Sequence, residues 1–312
     1  MRKILFISPH LDDAVFSCAV RILREVEAGS SVVVATVFSR GRGPASTLRE
    51  YAARRQEDRR ALALLGAKPL WIGLLDAPSR NPFYNSFSRI VLGTAPADVD
   101  HIQIVRTRIK GLLDDLKPEA VYLPLGVGTH IDHRLVFAAG AGLPVPCQRF
   151  YYEDQPYASV RFSTAMRLQD LRANSHGCDG GDCSMTQDSE IQSQFLKHFR
   201  AAPYVRRYLP PGKERRECET LLCKKLRATA EPTIRLESEI GLASPSDKLR
   251  IINTIYAYCS QASMFLGARK DFVAACGRHA RSLGLDCWRA ERFWKPFGDK
   301  KADSWAREIH AQ

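Results

Sequence analysis

The chain opens on an unbroken apolar run, Ile4-Leu5-Phe6-Ile7, the length and texture of a strand buried on both faces of a sheet. From Asp12 onward the period changes: Val15, Ala19, Ile22, Leu23 and Val26 recur at helical spacing, and Gly29 is placed to end that helix. Residues 31–38 read as a second buried strand, and the polar, glycine-rich 39–44 as a loop. Thr47 and Glu50 have capping-box spacing for a helix running to Leu65-Gly66. A third strand is expected over 70–75, a loop-rich stretch with three prolines over 77–98, a helix over 102–116 and an apolar strand over 120–125. This alternation predicts an α/β fold: a Rossmann-like, mostly parallel sheet flanked by helices.

Beyond Ala141 the periodicity loosens. Residues 149–152 read as a further strand, and helices are expected over 186–201, 215–229 and 246–266, giving a partly helical C-terminal extension. The pattern divides into a core over 1–160 and a C-terminal part, 161–312, that completes or extends the same domain. Residues 175–188, rich in Gly, Asp and Ser, are expected to form a flexible loop.

Composition narrows the class of protein. With 312 residues, 45% of them hydrophobic, the chain can bury a large core, yet no run reaches the roughly 18 apolar residues of a membrane span. The short apolar run leads straight into Ser8-Pro9-His10, unlike a secretory signal, so a cytoplasmic location is expected. A surplus of 46 basic over 34 acidic residues gives +12, but the basic residues are scattered among amphipathic segments, without a finger spacing or basic tail. A solvated face accounts for them better than a nucleic-acid groove. Nine cysteines are an odd count in such a chain and point to reduced thiols. The pairs Cys178/Cys183 and Cys218/Cys223 share a four-residue gap, wider than the two-residue gap of zinc knuckles, and read as ordinary thiols.

Two polar segments carry the chemistry. His10-Leu11-Asp12-Asp13 follows the first strand, and Gly128-Thr129-His130-Ile131-Asp132-His133 follows the strand over 120–125. In open α/β sheets, ligands bind outside the carboxyl ends of the strands, where both segments fall. A catalytic zinc site takes three protein ligands, commonly two close in sequence and one distant, as His10, Asp13 and His133 are. Helix-capping aspartates or a backbone-bonded histidine pair would each explain one segment, but not the two together.

These segments resemble the PIG-L/LmbE family of zinc-dependent deacetylases, which remove acetyl groups from N-acetylated amino sugars. The likeness extends to Arg54, Glu57, Ala61 and Leu65-Gly66 and to Tyr152-Glu153-Asp154, covering the first 160 residues. It is looser at Tyr258-Cys259-Ser260-Gln261 and at Glu291-Arg292-Phe293-Trp294. It implies His10, Asp13 and His133 as ligands of Zn2+, with Fe2+ or another divalent metal as the alternative. It further implies Asp12 as general base, His130 as the group that protonates or steadies the tetrahedral intermediate, and Asp132 as the residue that orients His130. Leu11 and Ala14 stand where the commoner family pattern has Pro and Glu, marking a variant branch whose substrate can differ.

The chemistry is consistent with that implication, because a metal polarises a poorly electrophilic amide and activates water while nearby groups move protons. Three further residues are candidates for substrate contact. Arg54 would meet a hydroxyl or phosphate, or else pair with Glu57 on the surface; Asp76 lies at a strand exit; Glu153, beside Asp154, would line the pocket or cap a turn. The expected partner is a small N-acylated sugar, with no nucleic acid and no membrane span; the pattern leaves the oligomeric state open. One alternative is an amidase or deacylase for another N-acyl conjugate, such as a thiol conjugate, glycolipid or natural product. Another is a nucleotide- or nucleic-acid-binding α/β module, disfavoured because no Gly-x-Gly-x-x-Gly or Gly-Lys-Ser/Thr follows the first strand. A serine hydrolase is disfavoured by the missing Gly-x-Ser-x-Gly elbow.

Overall fold

In the structure, a computed structural model that describes residues 1–144, 146–171, 173–176, 189–227 and 234–296, the first apolar run is strand β1, Lys3–Ser8. It pairs in parallel with β2, Ser31–Thr36, on one side and with β4, Ala120–Pro124, on the other. β3, Lys68–Trp71, extends the sheet beyond β2, and β5, Gln148–Tyr152, lies beyond β4, both in parallel. The alternating residues of β1 enter separate cores: Leu5 and Ile7 pack on one face of the sheet, Ile4 and Phe6 on the other. Burial on both faces is why the strand reads as a continuous apolar run.

Three more strands complete the sheet: β6 (Ala173–His176), β7 (Ile234–Leu242) and β8 (Ala290–Pro296). The order is β3-β2-β1-β4-β5-β8-β7-β6, with β8 antiparallel to both β5 and β7. The chain winds outward from β1 towards β3 on one side and from β4 on the other, so the topological switch point lies between β1 and β4.

The helices that position the site are α1 (Asp13–Glu27), α2 (Ala45–Leu65), α3 (Ala77–Arg80), α4 (Phe87–Leu92), α5 (Asp98–Leu116) and α6 (Ile131–Ala141). α1 is interrupted at Cys18, whose φ of −129° and ψ of 18° are not helical. In an uninterrupted helix the Val20 N–H would bond the Phe16 carbonyl. Here the Val20 and Arg21 amides donate to the two carboxylate oxygens of Glu291 at 2.9 and 3.0 Å, and the Phe16 carbonyl accepts from Arg289 at 2.6 Å. The buried Arg289–Glu291 pair, at 2.9 Å and flanking the first residue of β8, therefore closes the gap in α1.

Several sequence expectations are corrected. α2 begins at Ala45 behind Pro44, with no side-chain cap, so Thr47 and Glu50 lie inside the helix and form no capping box. The stretch over 77–98 holds α3 and α4, each capped by a side chain: Asp76 accepts from the Ser79 amide, and Ser86 from that of Arg89. The helix expected over 246–266 is two, Lys248–Ile255 and Ala262–Leu266. Helices Ser163–Asp170 and Arg269–Ser282 and the last three strands were not anticipated. Residues 177–188, most of the stretch expected as a flexible loop, lie outside the described residues, as do Cys178 and Cys183. Cys218 is a free thiol, as expected. No described helix is long and apolar enough to cross a membrane.

Candidate metal centre

The turn after β1 is pinned by Ser8, whose hydroxyl donates to the His10 carbonyl at 2.6 Å and accepts from the Ala14 amide at 3.0 Å. Asp13, in the first turn of α1, accepts from the His10 amide at 2.8 Å, which folds the two side chains towards each other. The turn after β4 is shaped by Gly126 and Gly128, both at φ 84°. A Cβ on Gly128 would stand 2.4 Å from a ring atom of Tyr157, so only glycine fits there. His130 caps α6, its Nδ1 accepting from the Asp132 amide at 3.1 Å. Asp132 and His133 follow in the first turn, both fully buried.

The two turns meet at the switch point. His10 Nδ1 lies 3.0 Å from Asp13 Oδ2, and His133 Nε2 lies 3.2 Å from the same oxygen. His133 Nδ1 is held at 2.6 Å by Asp154, whose other oxygen accepts from the Gly126 and Val127 amides at 2.7 and 2.8 Å. Nδ1 therefore carries a proton whatever the charge of the ring, and the buried Nε2, which makes no hydrogen bond among the described residues, would offer its lone pair once a cation displaces its own proton. The donor atoms of His10, Asp13 and His133 all lie within 4.8 Å of one another, as do those of a second set, His10, His130 and Asp132. Three convergent nitrogen and carboxylate donors, one with an unpartnered buried nitrogen and a carboxylate behind it, fit a divalent cation of the zinc class.

The electrostatics describe a site short of positive charge. Burial opposes the charged form of His10, but Asp13 and Asp132 outweigh it and hold its pKa up at about 9. Burial acts likewise on His133, and Asp13 and Asp154 raise its pKa to about 10. Although burial pushes the other way, the same two rings hold the Asp13 carboxyl well below its usual range. Asp12 moves the opposite way: burial, with the charge of Asp13 beside it, raises it to about 6 against the pull of Arg54. His130 is pushed well below an ordinary histidine by burial and by His10, so it is a neutral ring. Because its Nδ1 accepts a hydrogen bond, its proton sits on Nε2.

These groups open into a cavity of about 800 Å3. Its lining has a polar wall, to which Arg54, Asp76, Glu50 and Ser79 belong, and an apolar wall, to which Phe87, Ile90, Met264 and Phe265 belong. Arg54 reaches in from α2, its guanidinium 3.9 Å from Asp12 and its buried Nε without a hydrogen bond. It is not in a surface pair with Glu57, which instead accepts from the amide and hydroxyl of Ser260. Asp76 lines the cavity and accepts from the Tyr51 hydroxyl.

Two expectations are overturned. The Asp132 carboxylate does not orient His130. It faces His10 Nε2 at 3.0 Å and is held by the Ala77 amide at 2.9 Å and by Arg80 at 2.8 Å; only its backbone meets His130. Glu153 does not line the cavity. It is buried against β8, accepting from Arg292 at 2.5 Å and Trp294 at 3.0 Å. Its neighbour Asp154 reaches the site instead. Arg80 was missed because α3 is hidden in a proline-rich stretch. Asp154 had a signal, a carboxylate at a strand exit, but not the adjacency of β5 to β4 that gives it a role.

The model of the family PIG-L: GlcNAc-PI de-N-acetylase matches residues 5–142. The chain is 31% identical over 172 residues to 2'-N-acetylparomamine deacetylase of Streptomyces fradiae, an alignment that takes in 51% of this chain and 59% of that protein's length. Among solved structures, the A40926 pseudoaglycone deacetylase superposes with a TM-score of 0.60 at 21% identity, covering 94% of this chain and 96% of its own. The zinc-inhibited form of teicoplanin deacetylase does so with a TM-score of 0.63 at 20% identity, covering 96% and 100%. At these identities the structural likeness establishes a shared fold, while the sequence match falls on the segment that carries both histidine turns. Residues 5–142 of this chain match the PIG-L family model, and the chain is similar in sequence to the paromamine deacetylase over 59% of that protein's length.

Proposed function

We propose that the chain is a zinc-dependent hydrolase that removes the N-acetyl group from an amino sugar or an amino-sugar-containing conjugate. The observation that carries this reading is the unused Nε2 of His133, fixed by Asp154 and facing Asp13 beside His10. The names of the relatives, a 2'-N-acetylparomamine deacetylase and the A40926 pseudoaglycone and teicoplanin deacetylases, support it.

His10, Asp13 and His133 would hold the cation. Bound there, it supplies Lewis-acid polarisation of the amide carbonyl and acidifies water. Asp12 lines the same cavity beside Asp13 and accepts the proton of the attacking water. His130, neutral with its proton on Nε2, donates a hydrogen bond to the charge that develops on the amide oxygen, so it steadies the tetrahedral intermediate. Asp132, clamped by Arg80 and the Ala77 amide, keeps His10 in place. Arg54 and Asp76, on the polar wall, meet sugar hydroxyls. The pairing of β8 with β5 supports reading residues 161–312 as completing the same domain as 1–160. The apolar wall favours a sugar carrying an apolar aglycone. An N-acyl conjugate of another kind would use the same machinery.

The test is zinc content by mass spectrometry of wild type and His133→Ala, with acetate release from N-acetylglucosamine glycosides and N-acetylated aminoglycosides. About one zinc per chain, lost in the variant together with acetate release, is the expected result. Equal metal in both proteins would overturn the site. Metal without acetate release from any sugar would move the substrate to another acyl group.

A further inference from the structure

A second cavity, of about 420 Å3, lies behind the metal centre, within the roughly 300–1,000 Å3 range of small-molecule sites. Its walls are apolar: Val160, Tyr204, Leu266 and Phe272, with Pro156 and Phe265 shared with the metal cavity. Three basic side chains, Lys197, His198 and Arg278, line it as well. None of them makes a side-chain hydrogen bond or ion pair among the described residues. Among the described residues, no Asp or Glu lines the cavity. Several cations around other pockets of this basic chain are paired: Arg21 with Glu239, Lys295 with Glu237, Arg54 with Asp12. An apolar chamber with two unneutralised cations at its edge, Lys197 and Arg278, beside His198, whose charged form burial and the neighbouring Arg161, Arg278 and Lys197 disfavour, is complementary to a molecule with an apolar body and one anionic end.

We propose that this cavity is a second ligand site, which takes a small anionic amphiphile, its chain or ring among Val160, Leu266 and Phe272 and its carboxylate or phosphate at Lys197 and Arg278. The site is distinct from the metal centre but touches it. Tyr204, in its wall, packs edge-on against Tyr157 at 5.1 Å between ring centres, and Tyr157 packs in turn against His133 at 5.6 Å. Occupancy is thus felt one ring away from a metal ligand. The inference does not rest on the proposed deacetylase reaction, and its test needs no turnover.

The probes are octyl phosphate and octanoate below their micellar concentrations, titrated calorimetrically into the full chain, with inorganic phosphate and octylammonium as comparators. One octyl phosphate or octanoate per chain is expected, with both comparators about tenfold weaker or more. Ala275→Trp, which fills the chamber, and the pair Lys197→Glu with Arg278→Glu, on exposed positions, each weaken binding about tenfold or more, and the charge-reversed pair turns the preference towards octylammonium. Arg54→Ala, in the metal cavity, leaves binding unchanged. The proposal is overturned if neither anionic probe saturates, if octylammonium binds the wild type equally well, or if Arg54→Ala abolishes binding that the rim variants retain.

Discussion

The carboxylate of Asp154 and the ring of His133 meet at 2.6 Å, and that contact decides which nitrogen of His133 faces Asp13. Because Asp154 is itself fixed by the Gly126 and Val127 amides, its carboxylate cannot follow a flipped ring, so a flip or a change of tautomer forfeits the contact. Replacing Asp154 by Asn removes the charge behind the ring while keeping its size. Zinc affinity, measured by competition with a chelator, is expected to fall about 10- to 100-fold, with the fold retained by circular dichroism. Unchanged affinity would mean that His133 is not a ligand.

Asp12 sits beside the donors without belonging to either convergent set. The Asp12→Asn protein is therefore expected to bind the same amount of zinc as wild type and to lose about 10²- to 10⁴-fold in kcat for acetate release. Loss of the metal along with activity would place Asp12 among the ligands instead.

Asp58, on α2, accepts from Trp71 at 2.7 Å and Tyr258 at 2.8 Å, and its burial lifts its pKa to about 6. The folded state then binds this proton more tightly than the unfolded state, whose aspartate titrates near 4. Between these values, stability falls as pH rises, by up to about 3 kcal/mol from this group. Urea unfolding from pH 4 to 7 should show that downward slope in wild type, and a shallower one in Asp58→Asn. Parallel profiles would disprove the assignment.

The Arg289–Glu291 pair is expected to matter for stability out of proportion to an ordinary ion pair. Glu291→Ala strands the buried Arg289 and two amides of α1, and should cost about 3–5 kcal/mol in urea unfolding. The double variant Arg289→Met with Glu291→Leu leaves no charge behind, yet it should remain destabilised by about 1–3 kcal/mol, because Val20 and Arg21 still lack acceptors. Wild-type stability in the double variant would show that the pair has no part in α1.

The parallel half of the sheet was legible because β1, β2 and β4 are buried on both faces and carry apolar runs that interrupt an otherwise helical period. The metal site was legible for a related reason: His10 and Asp13 and the 130–133 turn fall directly after such strands. What escaped detection depends on neighbours that sequence does not display. Glu153 and Asp154 are chemically alike, and only the placement of β5 between β4 and β8 assigns one to Arg292 and Trp294 and the other to His133. Asp132 was expected to serve the histidine two residues away, but the three-dimensional partner is His10, 122 positions earlier. α2 was placed from its capping signal, whereas the helix begins behind Pro44, where a fixed φ replaces a side-chain cap.

The break in α1 has a consequence for the order in which the molecule is made. Glu291 lies 271 residues beyond Val20, so during synthesis at about 5–20 residues per second the helix that begins with Asp13 waits on the order of tens of seconds for its last hydrogen-bond partners. Until β8 emerges from the ribosome, α1, which carries Asp13 in its first turn, keeps an open seam. The closure of α1 therefore comes late, with the final strand of the sheet, well after the segment that carries His10 and Asp13 has been made.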